Sequence, residues 1–197
     1  AAAQPAERAD FAYETLRRPV AVELSEPNVL LLDTAQYAFD DGAWQQEEEL
    51  LRADNAFRAQ LGYPSRMDQV AQPWVVPDEP ARHHMRLKFT VQSEVEIKAP
   101  SLALEDAERV TIAVNGKKVE SRVTGWFVDE SIKTVRLPDL HRGENEIELF
   151  IPFGQRTNVE WCYLLGDFGV RVRGAEKTVI EPVRALGFGD WTQQGLP

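Results

Sequence analysis

The sequence predicts an all-β fold of the sandwich or jelly-roll type, with one helix in an N-terminal elaboration. Three observations lead there. Apolar and polar residues alternate with a period of two through Met85–Val91, Val110–Val114 and Glu146–Ile151. Turn residues separate such runs at intervals of roughly 8–12 residues, the spacing of a sandwich or barrel. The helices that parallel βαβ units need between strands are missing.

Taken in chain order, residues 1–19 are Ala-rich and polar at their start, and are expected to form an arm or linker. A single domain is expected over 20–197. A short strand is expected at Val20–Leu24, before Pro27. Asn28–Asp33 (NVLLLD) reads as a buried strand, and Tyr37 and Phe39 alternate with Ala38 and Asp40 before an Asp41-Gly42 turn. Gln45–Leu61 reads as the helix, the core of an elaboration near 45–62. Leu50, Ala53, Phe57 and Leu61 fall on one face, with Glu47, Glu48 and Glu49 in the first turn where the helix dipole favours negative charge. Gly62 and Pro64 end it. After the Pro-rich stretch Gln72–Pro80, short strands follow. Val110–Val114 runs into Asn115-Gly116, a hairpin signal because both turn positions require positive φ. Gly143 and Asn145 supply turn chemistry before the Glu146–Ile151 strand. Tyr163–Val172 gives two runs broken at Gly166-Asp167, and Val179–Val183 closes the series.

The 197 residues are long enough to bury roughly 70% of the unfolded surface without a metal or disulfide. With 22 Lys+Arg against 32 Asp+Glu, the net charge is −10. That balance argues against nucleic-acid and anionic-membrane partners. No apolar run is long enough to span a bilayer. Cys162 stands alone, so no intrachain disulfide forms, a pattern compatible with a reducing compartment. The chain begins Ala1-Ala2-Ala3 and carries no leader pattern, and we expect it to be a piece of a longer protein.

No GxSxG elbow, phosphate loop or GxGxxG with a following helix is present. His83 and His84 would point to opposite faces of a strand, a poor metal pair, and His141 sits in a loop. Cys162, between Trp161 and Tyr163, reads as a small buried hydrophobe rather than a nucleophile. A glycosidase would need two carboxylates about 5–10 Å apart, and Asp129, Glu130, Glu160 and Asp167 occupy strand ends or loops. Five tryptophans are present: Trp44, Trp74, Trp126, Trp161 and Trp191. Trp126 and Trp161 sit in loop-like contexts from which a flat ring could stack on a sugar. The alternative use of each is to fill the core or an interdomain face.

The runs Val110–Val119 (VTIAVNGKKV), Gly125–Ile132 (GWFVDESI) and Leu140–Phe153 (LHRGENEIELFIPF) resemble the galactose-binding-like jelly-roll domain of bacterial glycoside hydrolases, of the family 2 and α-L-rhamnosidase-like kind. Tyr163–Val170 (YLLGDFGV), Gly189–Pro197 (GDWTQQGLP), Asn28–Asp33, Gly42–Trp44 and Gln72–Trp74 extend the likeness over roughly residues 20–197. The resemblance implies a non-catalytic carbohydrate-binding or accessory module, with the catalytic barrel elsewhere in the parent chain. Its partners would be carbohydrate and other domains of that chain. No cofactor is expected. Structural calcium fits the family and the acid-rich composition, although no segment has the spacing of a calcium loop.

The candidate carbohydrate-binding residues are Trp126, Asp129 and Glu130 from one loop, and Arg156, Asn158, Glu160 and Trp161 from another. They combine stacking rings with carboxylates, an amide and a guanidinium that bond hydroxyls. Two alternatives stand beside this reading: a purely structural interdomain module, and an independent glycosidase using Asp129, Glu160 or Asp167.

Overall fold

Period-two alternation needs a second apolar surface to bury its inward face, and here two sheets supply it to each other. The computed structural model describes residues 19–66, 76 and 79–196; all but the last residue of the expected arm over 1–19, most of the Pro-rich stretch and the Gln72–Trp74 pattern lie outside them. In chain order the elements are β1 (Val20–Ala21), β2 (Asn28–Leu32), β3 (Thr34–Phe39), β4 (Glu48–Glu49), α1 (Leu50–Leu61), β5 (His83–Ser93), β6 (Ser101–Glu105), β7 (Thr111–Val114), β8 (Lys117–Lys118), β9 (Val123–Phe127), β10 (Asp129–Arg136), β11 (Gly143–Phe153), β12 (Cys162–Gly166), β13 (Gly169–Arg173), β14 (Glu176–Ile180) and β15 (Ala185–Leu186).

One sheet has five strands in the order β2-β12-β6-β10-β9. The other runs β13-β14-β5-β11-β7-β8, with β3 joined to β5 and β4 to β3. β1 and β15 form a separate antiparallel pair. The two sheets pack face to face as a β-sandwich. Leu87, Phe89, Ile147 and Leu149 from one meet Leu30, Leu102, Val135 and Leu164 from the other in a single buried cluster.

The longest ladder pairs β5 with β11 over eleven residues, from Gly143 opposite Ser93 to Phe153 opposite His83. Its register is pinned where β7, β8 and β11 meet. Asn115 (φ 49°) and Gly116 (φ 74°) form the left-handed two-residue turn between β7 and β8. Asn115 Nδ2 then donates to Asn145 Oδ1 at 3.0 Å, and Asn115 Oδ1 accepts the Glu146 N–H at 2.8 Å. Asn145 is fully buried; its Oδ1 also accepts the His141 N–H (3.0 Å), and its Nδ2 donates to the His141 carbonyl (2.7 Å). A buried amide is tolerable only with such partners.

The helix begins later than the sequence suggests. Glu48 and Glu49 are extended, pairing with Ala35 and Thr34 of β3, and α1 starts at Leu50. Glu49 is its N-cap, with its carboxylate accepting the Arg52 N–H at 3.0 Å, so the acid serves the helix end from outside the first turn. At the other end Gly62 adopts φ 70° and donates to Ala59 O, closing the helix as expected. α1 packs Leu50, Ala53 and Phe57 inward. Phe57 stacks on Phe39 with ring centroids 4.2 Å apart and lies 4.6 Å from Phe153.

Replacing Asn145 by Ala removes a buried amide and leaves the Asn115 amide and the His141 backbone without it. We expect a loss of about 3 kcal/mol of stability. In a double-mutant cycle by urea denaturation, Asn115→Ala and Asn145→Ala should be clearly sub-additive, with a coupling of about 1 kcal/mol. Fully additive losses would mean that the two side chains act independently.

Candidate functional site

In the five-stranded sheet, Leu102, Val135 and Leu164 point into the core. Their chain neighbours must point the other way. Ser101, Thr134 and Leu165 therefore line the outer face, where they form the floor of a cleft of about 1000 Å³. That volume is at the upper end for ligand pockets. The cleft crosses the sheet from β9 to β2, about 19 Å at ordinary strand spacing. One rim is the tip of the β9–β10 hairpin, with Trp126, Phe127 and Val128; the other is the Glu23–Pro27 connection that leads into β2.

Two non-glycine residues beside this cleft have left-handed backbone: Ala99 (φ 43°) and Val128 (φ 62°). For a β-branched residue such as Val128 that conformation is an outlier, and strain of this kind gathers at binding sites. Asp139 holds the Ala99 turn. Its Oδ1 accepts the Ala99 N–H (2.8 Å) and its Oδ2 the Lys98 ammonium (2.9 Å). These bonds, the Lys98 contact foremost, keep the Asp139 carboxyl below the usual carboxylate range. Glu96 and then Asp139 push Lys98 upward. Arg136 Nη1 donates to the Ala99 carbonyl. Asp167, at the far side, pairs with Arg184 at 2.5 Å.

The first group of sequence candidates divides here. Trp126 lies within β9, is 57% exposed and borders the cleft at its edge. Phe127 beside it packs on Tyr163 of the outer face, centroids 5.4 Å apart. Asp129 and Glu130 are exposed at the start of β10, past the turn at Val128, rather than in a loop with Trp126. The Ser131 N–H (2.8 Å) and hydroxyl (2.7 Å) both donate to Asp129 Oδ1, which lowers the pKa of that carboxyl.

The second group sits near the same end of the sheet. Ile132 faces Glu105 across the β10–β6 ladder, and Asn158 Nδ2 donates to Glu105. This segment is held by α1 and the residues after it. Arg58, buried, bonds Asp54 Oδ2 at 2.8 Å and donates to the carbonyls of Gln155 (3.0 Å) and Thr157. Burial raises the Asp54 pKa, against the opposing pull of Arg58 and Arg66. Arg66 grips Asn158 Oδ1, the Val159 carbonyl and the Glu160 carboxylate. Arg156 donates through Nε and Nη2 to the Val76 carbonyl (2.8 and 2.6 Å). Trp161, 39% exposed, donates its indole N–H to Glu49 Oε1 at 2.9 Å. The polar atoms of this segment thus bond within the chain, and Glu160 pairs with Arg66 rather than with a second carboxylate.

Arg136, Ser101, Glu23 and Glu26 line the cleft but were not among the sequence candidates. A left-handed Ala99 leaves no mark in the sequence, and the cleft residues come together only through strand pairing. Among the described residues, no three His, Cys, Asp or Glu side chains are grouped to hold a metal ion, and no helix is long and apolar enough to cross a membrane.

No protein-family model matches the chain, and no curated protein matches it. Among solved structures, a GH31 alpha-xylosidase from Xanthomonas citri is similar over 83% of this chain, at 13% identity and a TM-score of 0.31. The chain spans 18% of the length of that enzyme.

Cys162 lies in the core, where burial pushes its thiol up to about 12. At pH 8 it holds almost no thiolate, the reactive form. Iodoacetamide at that pH should leave the folded chain unmodified for hours and label it promptly in urea. Fast labelling of the folded chain would place the sulfur at the surface.

Proposed function

We propose that this chain is a non-catalytic, carbohydrate-binding β-sandwich module of a larger bacterial glycoside hydrolase, of the galactose-binding-like jelly-roll type. The observation that carries the reading is Trp126, more than half exposed at the edge of a cleft that Phe127, Ser101 and Arg136 also line. Water-exposed tryptophan is costly to leave without a partner, and a flat ring beside hydrogen-bonding groups suits the apolar face of a pyranose and its hydroxyls. The sequence resemblance supports the same reading. Catalysis fits less well. Of the proposed acids, Glu160 is engaged by Arg66 and Asp167 by Arg184, while Asp129 is held by Ser131.

One observation favours a second reading, a structural module that packs on a neighbouring domain. Phe188 and Trp191 are 77% and 60% exposed within one short segment. The Gln194 side chain fixes that segment, accepting from the Gly187 N–H at 2.6 Å.

Tryptophan fluorescence titrated with mono- and oligosaccharides separates the two. A saturable change that weakens about tenfold in Trp126→Ala is expected for the cleft. Because the ring is exposed, the variant should lose no more than about 0.5 kcal/mol of stability. No response at millimolar sugar would remove the binding reading and leave the structural one. Loss of folding in Trp126→Ala would place that ring in the core.

A further inference from the structure

The charged groups of the cleft are not equivalent. Lys98 is paired with both Glu96 (2.5 Å) and Asp139 (2.9 Å). Arg184 is paired with Asp167. Arg136 gives Nη1 to the Ala99 carbonyl and has no acidic partner among the described residues. A guanidinium carries five N–H donors in a planar fork, so most of this one faces the cleft unengaged. The Glu23–Pro27 rim brings Glu23 and Glu26, both exposed and without a bonding partner among the described residues.

The donor side is also held in place. Ala99 precedes Pro100, a position that favours extended backbone, yet its φ is 43°. The Asp139 carboxylate holds that turn through the Ala99 N–H, and the turn aims the Ala99 carbonyl at Arg136.

We propose that Arg136 is the polar anchor of the cleft, that Asp139 positions it through Ala99, and that the ligand is a neutral pyranose rather than a uronic acid. This rests on the carbohydrate reading above. A neutral sugar offers vicinal hydroxyls that both accept and donate, which matches a guanidinium and carboxylates lining the same cleft. A uronate would gain a pairing with Arg136 but bring its own charge toward Glu23, Glu26 and the Asp167 carboxylate. The chain as a whole carries −10, which opposes anions further.

The test is calorimetric titration of the full chain with the methyl glycosides of glucose, galactose, xylose and rhamnose, and with those of glucuronic and galacturonic acid. At least one neutral glycoside should bind, and the uronates at least tenfold more weakly. Arg136→Ala should lose tenfold or more of that affinity, and Arg136→Lys should recover only part of it, since an ammonium lacks the fork. Arg136 is exposed, so thermal melts of these variants should match the parent. Asp139→Ala should weaken binding several-fold, whereas Asp139→Asn, which keeps the acceptor for the Ala99 N–H, should stay within about twofold of the parent. Uronates binding as tightly as neutral sugars would overturn the proposal, as would an Arg136→Ala variant of parental affinity. Either result leaves the carbohydrate reading intact if Trp126→Ala still weakens binding. Failure of every glycoside to bind at tens of millimolar would overturn both.

Discussion

The bond between the side chains of Asn115 and Asn145 fixes the register on which the rest of the sandwich depends. It ties the β7–β8 turn to the first residues of β11, and β11 in turn pairs with β5 along its whole length. A slip of one residue there would turn every side chain to the opposite face. In the observed register, Met85, Leu87, Phe89 and Val91 point inward with Ile147, Leu149 and Ile151. The outward face becomes a charged one, where Lys88 meets Glu146 at 3.0 Å and lies 4.8 Å from the centre of the Trp44 ring. The inner face determines what the second sheet presents. With Leu102, Val135 and Leu164 drawn into the core, Ser101, Thr134 and Leu165 face out, and the cleft follows.

A second constraint operates at the helix. Asp54 and Arg58 are both buried and paired, and Arg58 carries the loop between β11 and β12 by two of its carbonyls. Such a pair contributes little net energy over an apolar alternative, but losing one partner would be costly. It fixes the position of the Gln155–Trp161 segment rather than freeing that segment for a ligand. The two groups thus differ in kind: the polar atoms of the Gln155–Trp161 segment are bonded within the chain, while in the cleft Arg136, Glu23 and Glu26 have no side-chain partner among the described residues.

Much of the sandwich was legible because period-two alternation and Asn-Gly turns are local signals. β2, β5, β7 and β11 were visible as runs of Leu, Val and Ile, and the Asn115-Gly116 turn as a dipeptide. β9 was not, since Val123–Phe127 has exposed residues at every second position and little apolar signal. The Glu47–Glu49 cluster misled because acids favour a helix N-terminus whether they lie within the first turn or just before it; pairing of Glu48–Glu49 with β3 decided the matter. For the site, the sequence offers Trp126 as a candidate in a loop-like stretch beside Gly125, and the structure puts it in β9, exposed at the edge of the cleft. Its companions were not legible. Asp129 and Glu130 follow Trp126 closely in sequence, but the Val128 turn carries them onto β10. The residues that share the cleft with Trp126 come from across the sheet: Arg136 on β10, Ser101 on β6, and Glu23 and Glu26 before β2.

The most direct measurement is amide and indole chemical-shift mapping of the isotope-labelled chain during titration with a neutral oligosaccharide. Perturbations should gather at the Trp126 indole N–H, Ser101, Thr134, Arg136 and Gly166, and spare Asn158, Glu160 and the Trp161 indole. Shifts concentrated on Arg156–Trp161, or none at saturating sugar, would contradict a binding cleft on the outer face of the five-stranded sheet.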